Sequence, residues 1–105
     1  MLDLKRLTYL TALYHHRSYT KASEELFVTQ PAISLAVKAL ERQTGIQLLD
    51  RQANGVVFTP EGEQYVLHAQ HILQECEKTE TILQELSTQW QQTLHLGISP
   101  TLGMN

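Results

Sequence analysis

Leu4, Leu7, Leu10, Leu13 and Tyr14 recur at steps of three and four along the start of the chain, the period of an amphipathic helix. Asp3 precedes the stripe, where a carboxylate accepts from the free N–H groups of a first turn. His15, His16 and Arg17 close it at the negative end of the helix dipole. A second, short helix follows, opened by a hydroxyl from Ser18-Tyr19-Thr20 and carrying Ala22 and Leu26 as its apolar positions. Phe27 and Val28 interrupt that pattern. Thr29 then offers a new N-cap, with Gln30 and Pro31 in the next first turn, where proline's missing N–H costs no hydrogen bond. The run from Ala32 to Gln43 reads as a third helix with Ile33, Ala36, Val37 and Leu40 on its buried side and Gly45 as a left-handed stop. Two helices joined by about three residues have helix-turn-helix spacing.

Ile46 to Arg51 and Val56 to Thr59 flank Gln52-Ala53-Asn54-Gly55, and Asn-Gly between apolar segments predicts a hairpin on a type I′ turn, hence a two-stranded wing. Thr59 can cap a last helix that begins with Pro60, with Glu61 and Glu63 at the positive end of its dipole. Tyr65, Ala69, Ile72, Cys76, Thr79, Leu83, Leu86 and Trp90 then follow one another at alternating steps of four and three. That seven-residue repeat predicts a long helix paired with a second copy of itself. The 31 residues from Pro60 to Trp90 extend about 46 Å, more than a small domain covers from one side. Thr93-Leu94-His95-Leu96-Gly97-Ile98 alternates like the first strand of a further domain. The expected organisation is therefore a head over 1–59, a dimerisation helix over 60–92, and over 93–105 the start of a truncated domain or a tail.

Composition changes this picture in one respect. The 105 residues carry a net charge of −3, which argues against a nucleic-acid partner until the distribution is read. Residues 1–58 hold seven of the eight basic side chains against five acids, a balance of +2, whereas the remainder holds Lys78 against six glutamates, a balance of −5. The first half can face an anion while the second is a solvated spacer or a partner surface. No apolar run reaches the length of a membrane span and no export signal opens the chain, so the expectation is a soluble cytoplasmic protein. Cys76 is the single cysteine, and its heptad position suits a small apolar residue.

On the third helix, Pro31, Leu35, Lys38 and Arg42 lie opposite the buried stripe, with Gln30 and Ser34 flanking them at its N-terminal end. Gln30 suits a bidentate contact with adenine in a major groove, Ser34 any base or phosphate, and Lys38 and Arg42 phosphate or guanine. Outward Leu35 fits either a thymine methyl group or the ordinary exposure of a single apolar residue. Spacing, wing, positive half and paired helix agree on DNA binding.

Tyr19-Thr20-Lys21-Ala22-Ser23-Glu24-Glu25-Leu26-Phe27-Val28-Thr29-Gln30-Pro31-Ala32-Ile33-Ser34, then Leu40-Glu41, Gly45-Ile46-Gln47-Leu48-Leu49-Asp50-Arg51 and Thr59-Pro60-Glu61-Gly62, resemble the DNA-binding end of LysR-type transcriptional regulators. The resemblance implies a mainly α fold: a winged helix-turn-helix of three helices and a two-stranded wing, followed by a long dimerisation helix. It implies that Gln30, Pro31, Ala32 and Ser34 approach bases, beside Leu35, and that Thr20 and Lys38 meet backbone or flanking groups. Lys21, Thr29, Arg42, Arg51 and Asn54 complete the expected flanking set. It also implies double-stranded DNA and a second copy as partners, with a tetramer open to a full-length protein. A small-molecule effector would bind only through a C-terminal domain that this chain lacks. Four positions depart from the family pattern. Leu35 stands where arginine or lysine is usual, which favours A·T-rich half-sites; Asn54 and Val57 replace basic wing residues; and Leu49 replaces a phenylalanine, a packing change.

His68, His71 and Glu75 are spaced to share a helix face but lack a fourth ligand, so no metal or other cofactor is expected. No nucleophile elbow or phosphate loop is present, and an enzyme is the least expected class. The competing class is a protein-interaction scaffold, a paired long helix with a three-helix head that does not bind DNA. Salt separates the two, because log K for DNA falls with log salt by about 0.9 per phosphate contact.

Overall fold

The computed structural model describes residues 2–95. Four helices follow in order: α1 (Leu4–His16), α2 (Tyr19–Leu26), α3 (Gln30–Thr44) and α4 (Pro60–His95). Each of the first three starts on the hydroxyl or carboxylate expected of it. Asp3 accepts from the N–H groups of Lys5 and Arg6, Ser18 from Lys21, and Thr29 from Ala32. α3 begins at Gln30 directly after its Thr29 cap, so Gln30 and Pro31 form its first turn as expected. Each of these helices also ends on a left-handed residue: Arg17 at φ 53°, Phe27 at φ 57° and Gly45 at φ 72°.

Among the described residues, those up to Leu73 form one compact unit and those from Gln74 onward a second. In the first unit, the apolar stripes of α1 and α3 meet as their spacing predicts. Leu7, Leu10, Leu13, Ile33, Val37 and Leu40 are at most 1% exposed, and α2 adds buried Ala22 with Tyr19 and Leu26 packed partly against the cluster. Leu4, at the solvent end of the α1 stripe, is 46% exposed. Leu48, Leu49 and Phe58 close the core from the connection between α3 and α4. Phe58 meets Tyr14 edge to face, with ring centroids 5.0 Å apart, and the Arg17 guanidinium lies 4.4 Å from the Tyr14 centroid.

Where the two-stranded wing is expected, the described residues form a loop with a paired base. Leu49 and Phe58 form one isolated antiparallel bridge, and no strand is built among the described residues. The Asp50 N–H donates to the Val57 carbonyl at 2.8 Å and the Thr59 N–H to the Leu48 carbonyl at 3.0 Å, so the base of the loop is paired. Its tip is not a type I′ turn. Asp50 accepts from the Gln52 N–H through its side chain and from the Ala53 N–H through its carbonyl, which turns the chain before Asn54 is reached. Gly55 at φ 93° takes the left-handed conformation and Asn54 does not.

The first turn of α4 lies against the backbone of Leu48. A Cβ at Gly62 would overlap the Leu48 carbonyl oxygen and stand 3.0 Å from its Cα, so only glycine permits this approach. Val66 and Ala69 then enter the core at 0% and 1% exposure, with Tyr65, Ile72 and Leu73 packed partly against it. Ala69, expected at the dimer seam, is covered by the core of its own head. In the second unit α4 runs through Thr93, Leu94 and His95, so the alternating segment starts as helix. Extending an existing helix adds one hydrogen bond per residue fixed, and that outweighs a three-residue alternation. The rest of that segment lies outside the described residues.

Candidate nucleic-acid interface

α2 and α3 are joined by Phe27-Val28-Thr29, with the Val28 N–H donating to the Ser23 carbonyl at 3.1 Å. This short turn brings the first turns of both helices together. Gln30 Nε2 donates to Thr20 Oγ1 at 3.2 Å, joining the residue expected at a base edge to one expected at the DNA backbone. Lys21 is exposed beside Thr20, while Thr29 spends its hydroxyl oxygen on the Ala32 N–H at 3.3 Å. Ser23, the buried polar residue of α2, donates its hydroxyl to the Thr20 carbonyl at 2.8 Å, which fixes the turn that carries Thr20.

Along α3 the two faces separate cleanly. Ile33, Ala36, Val37, Ala39 and Leu40 are buried, whereas Gln30, Pro31, Leu35, Lys38 and Arg42 are exposed and Ala32 and Ser34 half-exposed. All five expected base-proximal residues thus lie within reach of one surface. Among the described residues neither Lys38 nor Arg42 pairs with an acid, which leaves both cations for an external anion.

Arg51 and Asn54 have different settings. Asn54 is exposed at the loop tip. Arg51 is held by Glu41, Nη2 to Oε1 at 2.6 Å, and the other Glu41 oxygen accepts from the Leu48 N–H at 2.9 Å and the Leu49 N–H at 3.3 Å. Burial pushes the Glu41 carboxyl up. The hydrogen bonds from Leu48, Arg51 and Leu49 outweigh burial and hold its pKa below the ordinary carboxylate value. Glu41 thereby ties the last turn of α3 to the base of the loop. Its importance was absent from the residue-by-residue expectations, although one signal was available. An acid in the last turn of a helix faces the negative end of the dipole and calls for a compensating partner.

Of the expected dimerisation residues, Tyr65, Ala69 and Ile72 belong to the first unit and pack on its core. Beyond Gln74, Cys76 and Trp90 are half-exposed and Thr79, Leu83 and Leu86 exposed, with Ile82 beside them. Ile82, Leu83 and Leu86 each leave more than half of their surface in water, a concentration of apolar area on one stretch of helix. No described helix is long and apolar enough to cross a membrane.

Comparison with known proteins agrees with this geometry. The chain is 38% identical over 98 residues to the uncharacterized HTH-type transcriptional regulator YraN of Bacillus subtilis, covering 93% of this chain and 34% of that protein. It is 34% identical over 106 residues to the DNA-binding transcriptional dual regulator OxyR of Escherichia coli, covering 97% of this chain and 33% of OxyR. The chain thus spans about a third of the length of the curated relatives it matches. Among solved structures, the BenM DNA-binding domain in complex with benA site 1 DNA superimposes with a TM-score of 0.77 at 31% identity, over 82% of this chain and 97% of that one. Residues 4–63, from the first residue of α1 to the first turn of α4, match the bacterial regulatory helix-turn-helix proteins of the lysR family, and the chain belongs to that family.

Proposed function

We propose that this chain is the DNA-reading end of a transcription regulator that works as a homodimer. The observation that carries the reading is the exposed face of α3, where Gln30, Pro31, Ser34 and Leu35 precede the unpaired cations Lys38 and Arg42. Hydrogen-bonding groups at the N-terminal end of a helix and cations behind them suit a helix that enters a major groove and is held there by phosphates. In that role Gln30, Pro31, Ala32, Ser34 and Leu35 approach bases. Thr20, Lys21, Thr29, Lys38 and Arg42 meet backbone, and Arg51 and Asn54 approach a flanking groove.

The second copy pairs through Cys76, Thr79, Leu83, Leu86 and Trp90, which covers apolar surface that a lone chain leaves in water. A two-fold protein reads a two-fold site, so the operator is an interrupted inverted repeat. Each head offers only about four well-placed cations, and holding two heads on one site supplies much of the affinity. Transcription in the cytoplasm is its setting.

Selection of bound duplexes from a random pool, at low and at physiological salt, tests the reading. Enrichment of an interrupted dyad at both salts is expected. Binding of unselected sequence that vanishes with salt would leave only phosphate attraction, and a salt-independent protein ligand without duplex binding would favour a scaffold.

A further inference from the structure

We propose that Leu35 is a specificity-determining residue whose side chain packs on the 5-methyl group of a thymine. The inference rests on the DNA-binding reading above and adds a base identity to it. α3 buries five apolar side chains on its other side, and Leu35 is 64% exposed, so it contributes little to the core. One helical turn before it stands Pro31, one turn after it Lys38 and a second turn on Arg42, all exposed. Leu35, Lys38, Glu41 and Arg42 line one shallow depression on this face. A branched apolar side chain therefore sits between a hydrogen-bonding first turn and a cationic last turn, where an approach to DNA would cover it.

The chemistry of the groove then selects the base. Guanine presents acceptors at this edge, cytosine a donor, adenine one of each, and thymine alone adds an apolar group. Leucine laid over a polar edge strips water from N–H or carbonyl groups and returns no hydrogen bond. Laid against a methyl group it buries two apolar surfaces without that cost. Pro31 likewise brings no side-chain donor, so Pro31 and Leu35 form a strip that cannot satisfy guanine.

The test starts from the duplex that the full chain enriches from a random pool and replaces each enriched thymine, one at a time, by deoxyuracil, which removes only the methyl group. At one thymine per half-site the chain is expected to lose about fourfold in affinity, the worth of one buried methyl group. Leu35→Ala is expected to show no response there, and Leu35→Arg to exchange thymine for guanine at that position in a repeated selection. If Leu35→Ala keeps the full response at every enriched thymine, or Leu35→Arg keeps the thymine, the proposal is overturned while specific DNA binding stands. If the chain enriches no sequence at all, the DNA-binding reading fails and takes the proposal with it. Circular dichroism of both variants checks that the fold is retained.

Discussion

Gln30 reaches across the turn of the helix-turn-helix and donates to the Thr20 hydroxyl at 3.2 Å. The amide is thus oriented by the protein itself, with its carbonyl oxygen left for a second partner. Ordering a long side chain costs about 0.5–1.5 kcal/mol on binding, and this hydrogen bond supplies part of that ordering beforehand. Gln30→Ala should therefore cost about 1–3 kcal/mol and relax preference at one base pair. Lys38→Ala should weaken all sequences alike and lower the salt slope by about 0.9. Titrations on specific and scrambled duplexes separate the two outcomes, and equal losses on both for Gln30→Ala would remove Gln30 from the base edge.

The exposed apolar stretch of α4 gives a second prediction. Replacing Leu83 and Leu86 together by Asp puts two charges into the proposed seam, and desolvating an unpaired carboxylate is far costlier than losing a leucine contact. Sedimentation equilibrium should find a dimer for the unaltered chain and a monomer for the double variant. A double variant that remains a dimer would move the interface elsewhere.

Glu41 makes the fold sensitive to acid in a defined window. Its carboxyl is held below its ordinary value of 4.5, so its stabilising contribution is present above that pH and is lost as pH falls through the lower folded value. Glu41→Gln should be less stable at neutral pH, and the difference should shrink as pH drops below 4.5. Urea unfolding midpoints across this range measure it; a difference that stays constant with pH would show that the carboxylate charge plays no part.

Gly62 tests how closely α4 packs. Alanine favours a helix over glycine by about 1 kcal/mol, which taken alone predicts stabilisation. The added methyl group meets the Leu48 backbone, which cannot rotate aside as a side chain would. Gly62→Ala should consequently lose about 1–3 kcal/mol on balance, read from denaturant unfolding, and a gain in stability would mean that α4 can stand off from Leu48 without penalty.

Much of this architecture was legible because its signals are local. Asp3, Ser18, Thr29 and Gly45 each mark a boundary through hydrogen bonds to residues two to four away, and the structure places a cap at every one. The exposed and buried sides of α3 follow from spacing alone. The loop was harder, because Asn54-Gly55 competes with Asp50, whose side chain turns the backbone first. The repeat on α4 was harder still. Positions 65, 69 and 72 continue into 76, 79, 83 and 86 without a change of period, while Val66 and Ala69 are covered by the chain's own core and Leu83 and Leu86 are not. Periodicity tells which face of a helix is apolar and is silent on what covers it.

The left-handed corners at Arg17 and Phe27 have a consequence for length. Two residues separate α1 from α2 and three separate α2 from α3, and each connection spends one of them on a positive φ that side chains other than glycine's adopt reluctantly. Such joints hold no slack: one inserted residue would have to turn the next helix about its axis and lift its apolar stripe from the core. At Gln52, Asn54 and Gly55, exposed above a single bridge, the chain can grow or shrink without moving a helix. The head is thus fixed in register from Asp3 to Gly45 and adjustable at the loop, so variation in length among related heads belongs where a flanking groove would be probed and not where bases would be read.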